Sequence, residues 1–553
     1  MTPSFRWTSL APSTLARVLF VLAAAGFVLG GLESVLIRGQ LAHADAHLVA
    51  PSVYHQVLTL HGVSMVFLCA FPAILGFALA LLPARVALGR SAFPRLAAFG
   101  VWTWVCGAVV LHLGMLLGGT SGAGMLGNGS MTSIEWASRD TVYRGFLTFR
   151  ANGVDWWATA MALVTFGATC VVLDVLATTL WRRAPEVKLG SFGGFTLNGT
   201  LSALLGLVAF PMLCASMVLL QSDRLLSTGW FVPEVGADPT LWGRLTALLG
   251  HPQVSMMLTP AMGLATEAVV IGGGSRPMSG RAMMQVSAVS LAGAGLLMWC
   301  AQLLPAGSAF ALAALPIAGT WLALAIVTAI FAWIGYLWGR PLASSPSLWF
   351  ALGAGVMTLL GAFSMLPLAL QPAAVRQVGT YYTVAHAHEM LFGGVVMGLL
   401  AGLYLHAPKL FGRALDASMG RLHFSLSVFG GVLTFLPMHV LGLAGMPRRI
   451  HTYLPGMGWD RMNALSSVGA IVLLFAGLAF VMALVRSKPV EPAATPAPSP
   501  AAQDAAPLLA ACGLAVLACG TLLGWFVGAV GGLLLVFAVI RALGGTKPEG
   551  AAV

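Results

Sequence analysis

The feature that most constrains this chain is a series of long apolar runs that carry almost no charge. A helix needs about 20 such residues to cross a hydrocarbon core about 30 Å thick, and runs such as 201–220 and 424–443 have that length. Only 8% of the 553 residues are charged and 58% are hydrophobic, whereas soluble domains carry about 25% charged residues. A membrane β-barrel would show segments of about ten residues with alternating polarity. The sequence therefore predicts an all-α integral membrane protein.

Twelve apolar runs form the predicted core, and a further apolar stretch follows them. Their approximate limits are 15–37, 58–83, 96–118, 156–180, 195–220, 248–273, 282–304, 310–338, 347–371, 383–406, 422–444 and 463–485. The last stretch is long enough for a hairpin of two more helices, with a turn near Gly524 and Trp525. The predicted organisation is a polar segment 1–14, a twelve-helix core 15–488, an Ala/Pro-rich flexible linker 489–507, a transmembrane hairpin 508–543 and a tail 544–553.

The net charge of +11 comes from basic residues scattered singly between the apolar runs, so it does not indicate a nucleic-acid partner. Sorted by these spans, 18 of the 28 lysines and arginines lie on one side of the membrane and 10 on the other. The more basic side is the cytoplasmic one. The first run has no cleavage site after it and is expected to be retained. We therefore predict a multi-pass protein of a bacterial-type plasma membrane, in contact with lipid, with both termini cytoplasmic.

Three of the twelve histidines lie inside predicted spans at positions that indicate cofactor binding. An ionisable side chain within the membrane is a functional candidate by default. His386 and His388 are two residues apart, so on a helix they point about 200° apart and face opposite sides. Each could hold a separate planar cofactor, and His61 in the second run could supply the other axial ligand of one haem. Taken singly, each is equally well explained as a hydrogen-bonded packing histidine.

A set of motifs in a particular order gives the chain a resemblance to a known family, subunit I of the haem–copper oxidases, over about residues 38–475. The resemblance is strongest to the mitochondrial-like branch of the cytochrome c and quinol oxidases. The motifs are Leu60-His61-Gly62, Ala92-Phe93-Pro94-Arg95-Leu96, Asp238-Pro239, Gly250-His251-Pro252, Thr380-Tyr381-Tyr382-Thr383-Val384-Ala385-His386-Ala387-His388, Pro408-Lys409, Gly412-Arg413, Pro437-Met438-His439 and Gly445-Met446-Pro447-Arg448-Arg449.

The resemblance implies that the chain binds two haems, whose type the sequence does not specify. It implies that His61 and His388 are the axial ligands of a low-spin haem and that His386 is the single ligand of a high-spin haem. It also implies that the partners are other respiratory-complex subunits. The electron donor would be cytochrome c, a quinol or another subunit.

The resemblance assigns roles to three arginines as well. Arg448 and Arg449 match the pair that binds haem propionates, a role that suits bidentate guanidinium–carboxylate geometry. Arg38 matches an arginine of the first span that lies near the formyl group of the low-spin haem in haem-a members. Arg448 and Arg449 lie on the non-cytoplasmic side, against the usual distribution of charge, which favours a binding role over ordinary loop charges.

The chain departs from the family at the copper site. His251 matches one copper ligand and is interpreted as a remnant of that site, but Ala301 and Gln302 occupy the positions of the other two histidines. Gln253 and Ser255 stand where the branch has a proton-relaying Glu and a cross-linked Tyr. One imidazole does not hold copper firmly, since copper sites use two or three soft or borderline ligands. We therefore expect no copper; only the neighbouring Cys300 offers a substitute ligand.

The proton-conducting positions are also changed. Ala329 stands at the position of a channel Lys, and Ser121 at that of a channel Asp. Val378 and Gly379 stand at the positions of a His-Asp metal-binding pair.

Three hypotheses for the function follow. The chain is a di-haem redox protein that passes electrons, or binds O2, NO or CO at the high-spin haem, without oxidase turnover. It is an oxidase that reduces O2 to water at an altered metal site. Or it is a non-catalytic structural paralogue.

Overall fold

The computed structural model describes residues 8–117, 153–232, 235–238, 240–247, 251–274, 280–304, 308–369, 377–490 and 503–544. Several predicted features lie outside the described residues. They are residues 1–7 of the N-terminal segment, Ser121, most of the linker 489–507, residues 545–553 of the tail and the side chain of His251, whose backbone begins a helix.

Fourteen helices in the described part of the chain are long and apolar enough to cross a membrane. They are α1 Pro12–Gln40, α2 Pro51–Arg85, α3 Pro94–Leu117, α4 Gly153–Trp181, α5 Gly194–Leu226, α6 His251–Gly272, α7 Arg281–Leu303, α8 Ala309–Leu337, α9 Pro346–Ala369, α10 Tyr381–Phe411, α11 Ala417–Leu443, α12 Asp460–Val485, α13 Ala506–Leu523 and α14 Trp525–Gly544. A short helix, Leu241–Leu245, precedes α6.

These helices confirm the predicted all-α membrane class, with a twelve-helix core followed by a two-helix hairpin. The hairpin turns at Gly524, whose φ of 116° is one that L side chains rarely adopt. Several helices are longer than the apolar runs that predicted them, and α2 begins at Pro51 rather than near residue 58. The apolar run marks only the part of a helix that lies in hydrocarbon. Polar residues at the membrane surface can continue the helix beyond it.

Close packing of small residues brings neighbouring helices together, as is usual in membranes. α10 and α11 cross at Gly442, where an added Cβ would collide with the backbone of Tyr382. α3 and α4 cross where Gly100 faces Gly167, and a Cβ on Gly100 would lie 2.6 Å from the carbonyl oxygen of Gly167. The first of these crossings positions the end of α10 that carries the histidine motif.

Two of the helices that carry histidines contain stretches of π-helix, a rare geometry that is frequent at functional sites. In α2 the π segment Ser64–Ala70 begins three residues after His61. In α10 the π segment Glu389–Val396 begins directly after His388. The wider turn changes the direction of the side chains that follow each histidine, compared with a regular α-helix.

The C-terminal hairpin is joined to the core at one end of the molecule. Arg413–Ala414 (β1) pairs antiparallel with Lys488–Pro489 (β2). Ser9 bridges to Gln503, and Arg95 at the start of α3 forms an ion pair of 2.7 Å with Asp504. Both ends of the predicted linker are therefore held against the core.

Candidate functional site

The imidazoles of His61 and His388 face each other between α2 and α10. Their ring centres are 6.2 Å apart and their planes are within 14° of parallel. Nδ1 of His61 is 2.8 Å from the carbonyl oxygen of Gly30, and Nδ1 of His388 is 2.8 Å from that of Val384. Because a carbonyl oxygen only accepts, Nδ1 carries the proton in each ring, which leaves the lone pair on Nε2 for a metal ion.

His386 points to a different set of neighbours. Its side chain is buried, and Nδ1 is 3.0 Å from Oγ of Ser364 on α9. The Ser364 hydroxyl is also 2.8 Å from Oε2 of Glu389. The other carboxyl oxygen of Glu389 is 2.9 Å from Nε2 of His439 on α11. The two histidines of the motif therefore serve separate environments, as their spacing on a helix predicts.

Arg38 lies buried where α1 meets α12. Its Nη2 donates to the backbone oxygen of Asn463 at 2.8 Å, to the side-chain oxygen of Asn463 at 3.1 Å and to Oγ of Ser467 at 3.2 Å. Its Nε and Nη1 are buried without a hydrogen-bond partner among the described residues. Buried charged donors are normally satisfied, so these two atoms are suited to a polar group that is not part of the protein.

Arg448 and Arg449 lie in the segment between α11 and α12, and neither guanidinium pairs with an acidic side chain of the described part of the chain. Burial lowers the pKa of both groups, and with the like charge of Arg448 it lowers the pKa of Arg449 to about 10. Arg449 also adopts a positive φ of 71°. His55 and His451 lie beside this pair with their ring centres 6.4 Å apart. Two adjacent cations without a counter-ion form a site for an anion.

The positions that the sequence predicts to match the copper site include residues buried between helices. Ser255 is fully buried and its hydroxyl donates to the carbonyl oxygen of Leu291 on α7. A Cβ on Gly295 would lie 2.6 Å from the Ser255 side chain, so α6 and α7 are in close contact there. Ala301 is buried on α7. In the described residues, no group of three or more His, Cys, Asp or Glu side chains is arranged to hold a metal ion.

The position that the sequence predicts to match a channel Lys holds a small apolar residue. Ala329 on α8 is fully buried. One turn further along α8, the indole N–H of Trp333 donates to Oγ1 of Thr266 on α6 at 3.1 Å. The contact between α6 and α8 is therefore made by neutral groups at this level.

Comparison with known proteins shows which family shares this arrangement of helices and motifs. The family described as Cytochrome C and Quinol oxidase polypeptide I matches residues 14–472, most of the chain.

The chain belongs to this family.

Relatives and a solved structure agree with that membership. A cytochrome c oxidase subunit 1 of Bacillus subtilis (strain 168) is 31% identical over 486 residues, covering 87% of this chain and 75% of that protein. The counterpart from Bacillus sp. (strain PS3) is 32% identical, covering 83% and 72%. A probable quinol oxidase subunit 1 of Staphylococcus aureus (strain USA300) is 29% identical, covering 87% and 71%.

A cryo-EM structure of a haem–copper terminal oxidase dimer superposes with a TM-score of 0.65 at 16% sequence identity, covering 98% of this chain and 94% of that one. At this identity the match shows the fold alone. The family implies haem cofactors, partners in a respiratory complex, and cytochrome c or a quinol as donor.

Sequence reasoning missed three polar residues that the fold places beside the oxidase motifs. Glu389 and Ser364 form the network around His386 described above. Glu33 on α1 accepts from Ser64 at 3.4 Å through Oε1, while its Oε2 is buried without a partner among the described residues. Both glutamates are carboxyl groups in apolar spans, a signal that marks functional candidates. No such signal exists for Ser364, because serines are common on membrane helices.

Proposed function

We propose that this member of the oxidase subunit I family is a membrane redox protein that binds two haems and transfers electrons. His61 and His388 would be the axial ligands of one haem, and His386 the single protein ligand of the other. Arg448 and Arg449 would bind haem propionates, and Arg38 would contact a polar substituent of the first haem. In our proposal the chain carries out neither ordinary O2 reduction nor proton pumping.

The observation that carries the proposal is the geometry of His61 and His388. A metal–imidazole bond is about 2 Å and each ring centre lies about 1 Å behind its nitrogen, so two opposed ligands have centres about 6 Å apart. The measured separation is 6.2 Å, with both Nδ1 atoms committed to carbonyl oxygens. The packing of two histidines does not by itself require this separation, whereas binding one metal ion does.

Three arginines support the same group. The unpartnered Nε and Nη1 of Arg38 fit an acceptor on the edge of a bound ring system. The half-buried cations Arg448 and Arg449 fit carboxylates, which would offset the repulsion between them. Haem, when bound, supplies a one-electron iron couple and, where the iron has one protein ligand, an open position for a diatomic gas.

The residues at the positions predicted to match the copper site support the proposal that the chain does not carry out ordinary O2 reduction. Ala301 and Gln302 offer no imidazole. Ser255 has no phenol, and its hydroxyl donates to the carbonyl oxygen of Leu291 on α7. Four-electron cleavage of O2 needs a second electron source and a proton donor at the reacting atoms. The side chains at the matching positions supply neither. His251 would remain as a lone remnant of the copper ligands, and we infer that the site holds no copper.

A second candidate function is an active cytochrome c or quinol oxidase with an altered metal site. It is favoured by the names of the relatives, which are cytochrome c oxidases and a probable quinol oxidase. Cys300, next to Ala301, is the residue that such a site could use. A non-catalytic structural paralogue is the third candidate, and the paired histidines argue against it.

We also propose a location in a bacterial-type plasma membrane with both termini in the cytoplasm. All the relatives named above are bacterial. The lysines and arginines support the orientation, because the side with the larger number is the cytoplasmic one.

Metal analysis and optical spectra of the purified chain with its native partners test the proposal. We expect two haems and no copper per chain, carbon monoxide binding to one reduced haem, and very slow O2 consumption with reduced cytochrome c or quinol. Stoichiometric copper with turnover of tens per second, a rate typical of enzymes, would instead establish the active oxidase. Absence of haem would establish the structural paralogue.

A further inference from the structure

Glu389, Ser364, His386 and His439 form a continuous, partly buried hydrogen-bonded network across α9, α10 and α11. Exposure is 4% for His386 and 7% for Glu389. The three links are His386 Nδ1 to Ser364 Oγ at 3.0 Å, Ser364 Oγ to Glu389 Oε2 at 2.8 Å, and Glu389 Oε1 to His439 Nε2 at 2.9 Å. A carboxyl group in the middle of an apolar span is costly to bury, so its retention requires a reason.

The chemistry of the groups sets the direction of the hydrogen bonds. A serine hydroxyl has one proton, and its shortest contact is to the Glu389 oxygen, a stronger acceptor than the Gly361 carbonyl at 3.0 Å. Ser364 therefore donates to Glu389 and accepts from Nδ1–H of His386. His439 donates from Nε2 to the other carboxyl oxygen. In this order Nδ1 of His386 carries the proton, so Nε2 is the nitrogen that would bind iron in the proposed function.

The network is a product of the fold rather than of one helix. Glu389 opens the π segment of α10, directly after His388. The neighbouring residue Met390 packs on Gly361 of α9, where an added Cβ would lie 2.6 Å from its sulfur. On the opposite side, the ring of Tyr382 lies 4.6 Å from that of His439. These contacts hold the carboxyl group between the two neighbouring helices.

We propose that Glu389 acts through Ser364 as a positioning residue that makes His386 a more electron-donating ligand. This inference rests on the proposed function, in which His386 binds haem iron. A histidine whose second nitrogen donates toward a carboxylate is a more basic ligand, and hydrogen bonding behind the ligand is one of the means by which a protein tunes its metal. A more basic ligand stabilises ferric over ferrous iron and lowers the potential of that haem.

The test compares Glu389→Gln and Ser364→Ala with the unchanged protein, each purified with its native partners. The iron–histidine stretching frequency of the reduced CO-binding haem is measured by resonance Raman, and its midpoint potential by redox titration. We expect both variants to lower the frequency and raise the potential. A tenfold change in the ferric-to-ferrous preference corresponds to about 59 mV for one electron. The low-spin band reports whether each variant is correctly assembled.

The double variant and a second glutamate test the relay, by which we mean the effect of Glu389 on His386 through Ser364. They distinguish it from a general effect of removing a negative charge. If both residues act in one chain, Glu389→Gln with Ser364→Ala shifts the signals no further than either single change. Glu33→Gln removes another intramembrane carboxyl group and should leave the CO-binding haem unchanged. The relay is wrong if Ser364→Ala has no effect, or if Glu33→Gln acts as strongly as Glu389→Gln. A protein without any CO-binding haem would instead refute the proposed function.

Discussion

Single backbone carbonyl groups decide how the two facing histidines can bind a metal ion. Gly30 and Val384 each accept from one Nδ1–H, so the same tautomer is selected in both rings. A histidine without this arrangement could present either nitrogen. The site therefore depends on residues that carry no functional group of their own, and a search for ligating side chains alone would not find them.

Replacing His61 tests the ligand pair at this scale. We expect His61→Ala to abolish the sharp reduced-state band of a bis-imidazole haem, because His388 alone leaves one axial position of the iron without imidazole. His112 is a matched control, since it also lies in an apolar span and contacts a carbonyl oxygen, that of Ala108 at 2.9 Å. His112→Ala should leave the band unchanged. An unaltered reduced spectrum in His61→Ala would refute the assignment.

At the scale of helices, one carboxyl group joins four of them. Glu267 on α6 contacts the two terminal nitrogens of Arg85 on α2 at 2.5 and 2.8 Å. It also accepts from the backbone N–H of Phe195 on α5 at 2.8 Å and lies 2.9 Å from Nε2 of His406 on α10. The Arg85 and Glu267 side chains are 24% and 17% exposed, so the ion pair is partly buried, and removing one partner leaves the other charge incompletely solvated.

We expect Glu267→Gln to destabilise the protein by about 1–2 kcal/mol, between the values for exposed and for fully buried ion pairs. The readout is the midpoint temperature of unfolding in detergent. Asp238→Asn is the control, because Asp238 pairs with Arg244 at 3.0 Å on the surface, where ion pairs contribute about 0–1 kcal/mol. Equal midpoints for the two variants would show that Glu267 does not join the helices as inferred.

The crossing of α10 and α11 gives a second prediction about helices. Gly442→Ala places a methyl group against the backbone of Tyr382, which must move. Overpacking of this kind costs about 1–3 kcal/mol, and here it displaces the end of α10 that carries the histidines. We expect weaker haem retention. In Gly477→Ala the new methyl group has no atom within 4 Å, so haem content should be normal; loss of haem in both variants would contradict this reading.

For the whole molecule, the number of membrane crossings determines whether the two ends of the chain lie on the same side of the membrane. The fourteen candidate spans of the described residues are an even number, so they would return the chain to the side from which it started. Reporter fusions test this arrangement. A reporter after residue 544 and one within residues 491–502 should both be active only in the cytoplasm. A reporter inserted at Gly524 should be active only in the periplasm. A C-terminal reporter that is active in the periplasm would show that the hairpin crosses once or not at all.

The sequence by itself determined the membrane class, the twelve core helices and the hairpin, because hydrocarbon thickness sets the length of an apolar run. It also predicted that His386 and His388 serve separate environments, since residues two apart on a helix must diverge. The family followed from the order of motifs. These properties are local, because each depends on neighbours along the chain.

Tertiary structure alone decided which distant groups meet. The 6.2 Å separation of His61 and His388 arises between α2 and α10. The carboxyl group of Glu389 meets Ser364 of α9 and His439 of α11. Such contacts depend on crossing points of small residues and on π turns, neither of which leaves a periodic signal in the sequence. The sequence therefore indicates which side chains carry the chemistry. The packing of helices decides which of them act together, because hydrogen bonds form only within about 3.5 Å.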